Sequence, residues 1–176
     1  MKVLGISGSL RAGSHNSQLL RAAADLLPPG TELEIYDGLR EIPAYVQGDE
    51  ASPPLSVTRL KSALADADAA LSATPEYNHS IPGALKNALD WVSRPLAGNP
   101  MMGKPALVIG ASTGMFGAVW AQAETRKVLG ALSARVVDEE LPVAKAPDGL
   151  NDVQMLDRLA ELLRELTASE ELTRAA

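Results

Sequence analysis

The segment GISGSLRAGSHNSQLL, residues 5–20, holds the densest group of side chains that could do chemistry. Hydroxyl groups, an amide and a guanidinium stand just before a helical pattern, and the first backbone N–H groups of a helix have no intrahelical acceptor. All of these groups donate hydrogen bonds to an anion. The segment has neither the GxxxxGK[ST] of a triphosphate loop nor the GxGxxG of a dinucleotide loop, which indicates a different phosphorylated ligand. The candidate donors are Ser9, Arg11, Ser14, Asn16 and Ser17.

The same residues have a simpler interpretation, in which Ser14 or Asn16 only caps a helix within a polar turn. Capping needs one such residue, however, whereas five donors occur here. One arginine and a helix N-terminus suit a terminal monophosphate, which needs no magnesium ion. Triphosphate chemistry and phosphorelay receivers would need carboxylates at strand ends, and Thr74-Pro75 ends the third predicted strand. The chain also lacks the cysteine of a low-molecular-weight phosphatase.

A second loop begins TPEYNHSIPG at residue 74. Aromatic residues make up only 3% of the chain, so the placement of Tyr77 in this loop favours a role beside a flat ring. Asn78 and the backbone amides offer the paired donors and acceptors that a pyrimidine-like edge requires. Tyr77 could instead pack in the core or touch another subunit. Glu76 could be a solvated or interfacial carboxylate, and His79 could be an ordinary polar loop residue.

A third loop, GASTGMFGAVW, starts at residue 110. Its glycines allow close backbone approach, and Ser112 and Thr113 can hydrogen-bond a heterocycle while Phe116 flanks it. A glycine-rich connection without a ligand is the alternative. Together the three loops describe a planar heterocycle that carries a monophosphate, and flavin mononucleotide (FMN) matches that description.

Alternating strand and helix patterns must position these loops. Apolar runs predict strands at 2–7, 31–37, 69–74, 105–112 and 134–144, and helical spacing predicts helices at 18–27, 55–65, 83–92, 118–132 and 153–167. This pattern is typical of a doubly wound α/β fold: a five-stranded parallel sheet of order 2-1-3-4-5 with helices on both faces. Ligands of such sheets lie beyond the carboxyl ends of strands one and three, where residues 8–17, 75–82 and 112–117 meet.

The chain is predicted to form a single domain over residues 1–170, followed by a frayed tail at 171–176. The long loop at 38–54 is either a functional flap or an Ω-like loop. Trp91 and Trp120 fall within predicted helices, where packing is the ordinary role. In the helix at 82–95, one apolar face is enough to pack against the sheet. Trp91 belongs to the further apolar residues of this helix, which need another cover. We therefore expect a partner subunit to cover Trp91.

Composition narrows the range of functions. The net charge of −6 and pI near 4.9 argue against nucleic acid and anionic membranes as partners. There is no cysteine and there are only two histidines, which makes a metal site improbable. The N-terminus turns polar after six residues and no apolar run has membrane length, so a cytoplasmic location is expected.

The motifs GSLRAGSHNSQLL, PEYNHSIPGALKNALDW and GASTGMFG, in this order and spacing, resemble those of the NADPH-dependent FMN reductase family. The resemblance runs from about Lys2 to Asp138. It implies a flavodoxin-like fold and relationship to chromate, quinone and azo-dye reductases. The implied phosphate ligands are Ser9, Arg11, Ser14, Asn16, Ser17 and Gln18; Pro75, Glu76, Tyr77 and Asn78 would border the ring, and Ser112, Thr113 and Gly114 would close its other side.

The resemblance further implies an enzyme in which NADPH or NADH gives hydride to the flavin and a small-molecule acceptor then replaces the nicotinamide. No side chain need act as an acid or base, because the flavin carries the chemistry. A homodimer or homotetramer is implied, with the second loop near the partner. Two alternatives are a flavodoxin-type electron carrier and a flavin- or redox-sensing module, which NADPH oxidation with a quinone would distinguish from an enzyme.

Overall fold

The computed structural model describes the backbone of residues 1–174 and the side chains of residues 1–168. The strands are β1 (Lys2–Ser7), β2 (Glu32–Tyr36), β3 (Ala69–Ala73), β4 (Pro105–Ala111), β5 (Arg135–Val136) and β6 (Pro142–Val143). The α-helices are α1 (His15–Leu26), α2 (Leu55–Asp66), α3 (Gly83–Val92), α4 (Val119–Ala131) and α5 (Val153–Arg174). Short 3₁₀ turns lie at Gly38–Glu41, Asp49–Ala51 and Asp148–Asn151.

All strand pairs are parallel, and the order β2-β1-β3-β4-β5 confirms the predicted topology. Strands β1, β3 and β4 are almost entirely buried, as continuous apolar runs predict for strands covered on both faces. Val3 joins a core with α1 and α5, whereas the next residue, Leu4, joins the core beneath α2, α3 and α4. Helices therefore cover both faces of the sheet.

The fifth predicted strand is divided in two, which corrects the expectation of one strand over 134–144. Strand β5 pairs with the start of β4 and β6 with its end. The acidic residues between them leave the sheet and form ion pairs with helices: Glu140 with Arg126 at 2.5 Å and Glu139 with Arg158 at 2.9 Å. Three consecutive carboxylates are costly to place in a sheet that is buried on both faces, so the chain turns outward there.

Two helix boundaries differ from the prediction by more than one residue. Helix α1 begins at His15 rather than at residue 18, because Ser14 caps it and places Asn16 and Ser17 in its first turn. Helix α5 extends to Arg174 rather than ending at 167. The fraying expected at 171–176 stays a prediction, since residues 175 and 176 lie outside the described chain. Over residues 1–174, no helix has both the length and the apolar character needed to span a membrane.

The loop at 38–54 packs on α3 and buries Trp91, so the expectation that a partner subunit covers this residue is wrong. Trp91 is only 1% exposed, and its indole N–H donates to the Pro43 carbonyl at 2.8 Å. The Tyr45 ring meets the indole edge-on with 5.1 Å between centroids. Asn87 ties the same loop down by accepting from the Tyr45 N–H and donating to the Pro43 carbonyl. The packing role predicted for a helical tryptophan is confirmed at this position.

Candidate active site

The three loops converge beyond the carboxyl ends of β1, β3 and β4, and they enclose a cavity of about 290 Å³. Its lining includes the predicted residues Ser9, Arg11, Ser14, Asn16, Pro75, Glu76, Tyr77, Ser112 and Thr113, together with His15 and Ala111. Four predicted residues lie outside the lining: Ser17, Gln18, Asn78 and Gly114. The structure therefore brings the loops together, but it gives their members different tasks.

The first loop is braced by its own side chains. Ser14 accepts from the Ser17 N–H at 3.0 Å and so caps α1. The Ser17 hydroxyl lies 3.0 Å from that of Ser14 and donates to the Ser7 hydroxyl at 3.1 Å. The Gln18 amide donates to the Gly13 carbonyl at 3.1 Å. Ser17 and Gln18 thus hold the loop in shape from behind the cavity.

Asn16 joins the first loop to the third. Its side-chain amide donates to the Ala111 carbonyl at 3.0 Å and its oxygen accepts from the Ala111 N–H at 2.9 Å. The residue is only 2% exposed, so this reciprocal pair satisfies backbone groups that water cannot reach. The side chain of Asn16 therefore fixes the distance between α1 and the end of β4.

The groups left to meet an anion are the Arg11 side chain and the start of α1. Arg11 is exposed and has no ion-pair partner among the residues whose side chains are described. Ser14 caps the N–H of Ser17, which leaves the earlier first-turn N–H groups of His15 and Asn16 directed out of the helix. Arginine and free helix N–H groups together suit a phosphate dianion.

Sequence reasoning missed His15, which lines the same cavity. Its Nδ1 is buried without a hydrogen-bond partner in the described part of the chain. The available signal was its place directly after the capping Ser14, which makes it the first residue of the helix that faces the anion. The scarcity of histidines argues against a histidine-rich metal site, but it says nothing about a lone histidine at a helix N-terminus.

The second loop forms a tight turn over Tyr77–Ser80. Tyr77 and Ser80 pair through two backbone hydrogen bonds of 3.2 and 3.1 Å. Asn78 and His79 both have positive φ, at 53° and 58°, which is the backbone of a type I′ turn. Asn78 is exposed at the tip of this turn, so the structure gives it a backbone role instead of a place in the cavity lining.

The carboxylate of Glu76 serves α4. Its Oε2 accepts from the N–H groups of Trp120 at 3.0 Å and Ala121 at 3.1 Å, and the side chain is 13% exposed. These bonds satisfy the first turn of a helix whose own N-cap, Ala118, offers no side-chain acceptor. A carboxylate engaged in this way opposes a bound phosphate less than a free one would.

The third loop rests on the chain just after β6. Lys145 donates its N–H to the Gly114 carbonyl and Ala146 donates to the Ser112 carbonyl, both at 3.0 Å. Gly117 has a φ of +56°, and a Cβ there would lie 2.3 Å from a backbone carbon of Pro142. Only glycine permits this close approach. The loop is therefore shaped by non-local contacts that the motif itself did not predict.

Exposed aromatic side chains form a rim beside the cavity: Tyr77 lies in its lining, and Phe116 and Trp120 follow the lining residues Ser112 and Thr113 along the chain. Tyr77 is 54%, Phe116 61% and Trp120 40% exposed. The Phe116 and Trp120 rings lie 5.0 Å apart, and the His79 ring meets Trp120 edge-on at 4.7 Å. The alternative that Tyr77 packs in the core is wrong, whereas Trp120 packs on the His79 and Phe116 rings and remains partly exposed.

Cavity volume alone would not identify this cavity as the ligand site. Among the described residues, a cleft of about 410 Å³ lies beside β6 and the start of α5, and one of about 590 Å³ lies beside β2 and α2. Neither joins the ends of three central strands. The convergence of donors at the switch point of the sheet distinguishes the smaller cavity.

Comparison with known proteins agrees with this geometry. The family model described as NADPH-dependent FMN reductase matches residues 1–148. The chain belongs to this family. It is similar to the NAD(P)H-dependent FMN reductase PA1204 of Pseudomonas aeruginosa, with 43% identity over 94% of this chain and 90% of that protein. The family assignment makes the chain an oxidoreductase that uses FMN and NAD(P)H.

Two further relatives support the assignment. The chain is 42% identical to a 2-hydroxy-1,4-benzoquinone reductase of a Burkholderia species, over 73% of this chain and 69% of that protein. The solved structure of FerB, a flavoenzyme NAD(P)H:(acceptor) oxidoreductase from Paracoccus denitrificans, superimposes with a TM-score of 0.84 at 34% identity, covering 97% of each chain. The flavodoxin-like fold is thereby confirmed.

The residues that line the cavity suit both the phosphate and the ring of FMN. Arg11 and the free N–H groups of α1 can hold the phosphate, and the one carboxylate of the lining is already engaged with α4. Tyr77 and the Ser112–Thr113 segment border the space that remains for a flat ring. Individual contacts of these residues with the flavin remain our proposal.

We expect Arg11→Ala to weaken FMN binding by about 10- to 100-fold, because charge-assisted hydrogen bonds contribute roughly 1.5–3 kcal/mol each. Titration of flavin fluorescence measures the dissociation constant. Riboflavin, which lacks the phosphate, should bind the variant and the parent equally.

Arg21→Ala is the matched control, since Arg21 is exposed on α1 away from the cavity lining. It should leave the FMN dissociation constant unchanged. An Arg11→Ala protein that binds FMN as tightly as the parent would exclude Arg11 from the phosphate site.

Proposed function

We propose that the chain passes electrons from NAD(P)H through FMN to a quinone in alternating half-reactions. The exposed aromatic rim carries this proposal. The chain has one Phe, two Trp and three Tyr, and a member of each type is exposed at this one edge of the sheet. Aromatic side chains stack with planar rings, and a quinone is planar.

The chain's residues bind and orient the reactants. Arg11 and the start of α1 hold the FMN phosphate, while Tyr77 and Ser112–Gly114 border the ring. When bound, FMN accepts hydride from the nicotinamide and passes electrons on. Tyr77 and Phe116 would flank the space that the nicotinamide and then the acceptor would enter.

Other acceptors fit the site less well. Chromate has no planar ring, so the exposed aromatic side chains offer it no stacking partner. Azo compounds and free flavin are planar, but the relative named as a 2-hydroxy-1,4-benzoquinone reductase favours a quinone. A non-enzymatic electron carrier or a redox-sensing module does not agree with membership of a reductase family. The cytoplasmic location stays a prediction.

Steady-state kinetics with NADPH and 1,4-benzoquinone test the proposal. Alternating half-reactions give parallel lines in double-reciprocal plots at several fixed quinone concentrations. Phe116→Ala should raise the KM for benzoquinone roughly 3- to 10-fold, since an aromatic pair contributes about 0.5–1.5 kcal/mol. The FMN dissociation constant and the KM for ferricyanide, an acceptor that does not stack, should stay the same.

Intersecting lines would contradict the alternating order. An unchanged KM for benzoquinone in the Phe116→Ala variant would show that the rim does not bind the acceptor. If the parent oxidises NADPH only with ferricyanide, the quinone assignment is wrong.

We also propose a homodimer, or a homotetramer built from it, that covers Trp120 of the rim and the neighbouring Met115 and leaves Tyr77 and Phe116 open to the acceptor. These large apolar side chains are 75% and 40% exposed beside Phe116, an arrangement that marks interaction surfaces. Trp91, which the sequence suggested, is buried by the chain's own loop and is unavailable for this role.

Trp120→Ala should weaken dimerisation roughly 30-fold or more, because truncating an interface tryptophan costs about 2 kcal/mol. Light scattering across a dilution series measures the effect. Leu55→Ala, which truncates another exposed apolar side chain on α2, should leave dimerisation intact. A parent that is monomeric at micromolar concentration, or a variant that dimerises like the parent, would contradict the proposal.

A further inference from the structure

The turn at Tyr77–Ser80 is held against α4 at both of its ends. At its start, Glu76 accepts from the N–H groups of Trp120 and Ala121. At its end, Glu124 on α4 accepts from the Ser80 hydroxyl at 2.5 Å and from the Ile81 N–H at 3.2 Å. Each carboxylate therefore accepts hydrogen bonds from the segment that carries the other.

Both carboxylates are well suited to this task. Glu76 lies at the N-terminus of α4, where the helix dipole stabilises negative charge. Its other oxygen, Oε1, lies 3.6 Å from the His79 Nδ1, within the same turn. The hydrogen bond from Ser80, and then that from the Ile81 N–H, lower the pKa of Glu124 and keep it ionised. Lys127 adds a weaker favourable charge.

The two segments carry opposite sides of the cavity mouth. Tyr77 directly follows Glu76, whereas Trp120 lies in the first turn of α4 and Phe116 stands three residues before that helix. Tyr77 and Ser80 pair with each other, and the His79 ring adds an edge-on contact with Trp120 at 4.7 Å. The hydrogen bonds that join the backbone of this segment to α4, and so set the position of Tyr77 relative to Phe116, come from the two carboxylates.

We infer that Glu76 and Glu124 are positioning residues that hold the two sides of the flavin ring site in register. The inference rests on the proposed function, since it assumes that the ring lies between Tyr77 and the third loop. It reassigns Glu76, which the sequence suggested as a direct flavin contact. The phosphate end of the site is held separately by Asn16 and does not depend on this pair.

Three substitutions at Glu76 separate the effects of its acceptor oxygens, its charge and its length. Glu76→Ala removes the acceptors, Glu76→Asp keeps the charge but shortens the reach, and Glu76→Gln keeps an acceptor oxygen without the charge. We expect Glu76→Ala and Glu76→Asp to lower kcat for benzoquinone about 10- to 100-fold, as small misplacements of reactants do. Glu76→Gln should restore a large part of the activity.

Visible circular dichroism of the bound flavin provides a readout other than activity. The ring signal should change in Glu76→Ala and Glu124→Ala, whereas the FMN dissociation constant should rise less than 10-fold because the phosphate site is intact. The Glu76→Ala/Glu124→Ala double variant should be no worse than about the poorer single variant, since one break already releases the turn.

Glu50→Gln is the matched control, because Glu50 also accepts a backbone N–H, from Gly48 at 2.6 Å, but lies outside the cavity lining. It should behave like the parent. Glu124 is exposed, so its variants keep the test valid if Glu76→Ala does not fold. Native ring dichroism and kcat within twofold of the parent in the Glu76 or Glu124 variants would overturn the inference. A parent that does not reduce FMN would instead contradict the proposed function.

Discussion

The site depends on the reciprocal hydrogen bonds between the Asn16 amide and the backbone of Ala111. Asn16 stands in the first turn of α1 and Ala111 ends β4, so the pair spans the end of β3 that lies between them. Without it, two buried backbone groups would lose their partners, at a cost of about 1–3 kcal/mol each. The same pair sets the width of the cavity, because the phosphate donors lie on one side of it and Ser112 on the other. A structural amide therefore defines where a ligand can sit.

Around this constraint, the two ends of the site are built differently. The phosphate end is a helix N-terminus braced by serine and glutamine side chains within a few residues of one another. The ring end consists of segments far apart in sequence, joined by carboxylates that accept backbone N–H groups. The hydrogen bonds from α4 to Glu76 also matter for FMN binding. A carboxylate without such partners in the same cavity would repel the phosphate more strongly. An acidic chain can in this way bind an anion through local groups.

Much of the fold could be predicted because its signals are local. Continuous apolar runs marked β1, β3 and β4 as buried strands, and a parallel sheet of that order brings the three loops to one edge. Nine of the eleven residues that line the cavity lie among those predicted, whereas His15 and Ala111 were missed. Contacts between distant segments could not be predicted: Asn16 meets Ala111 across 95 positions, and Trp91 meets Pro43 across 48. An apolar helix face shows that a cover is needed, but not whether the chain's own loop or a partner provides it.

The central claim is that this cavity holds FMN in a form that NAD(P)H reduces and a quinone reoxidises. Anaerobic titration of the purified protein, followed through the flavin's visible absorption, tests it most directly. Each chain should bind one FMN, NADPH should bleach the bound flavin, and benzoquinone should then restore the oxidised spectrum. A protein that binds no FMN, or whose bound FMN keeps its oxidised spectrum with excess NADPH and NADH, would contradict the account.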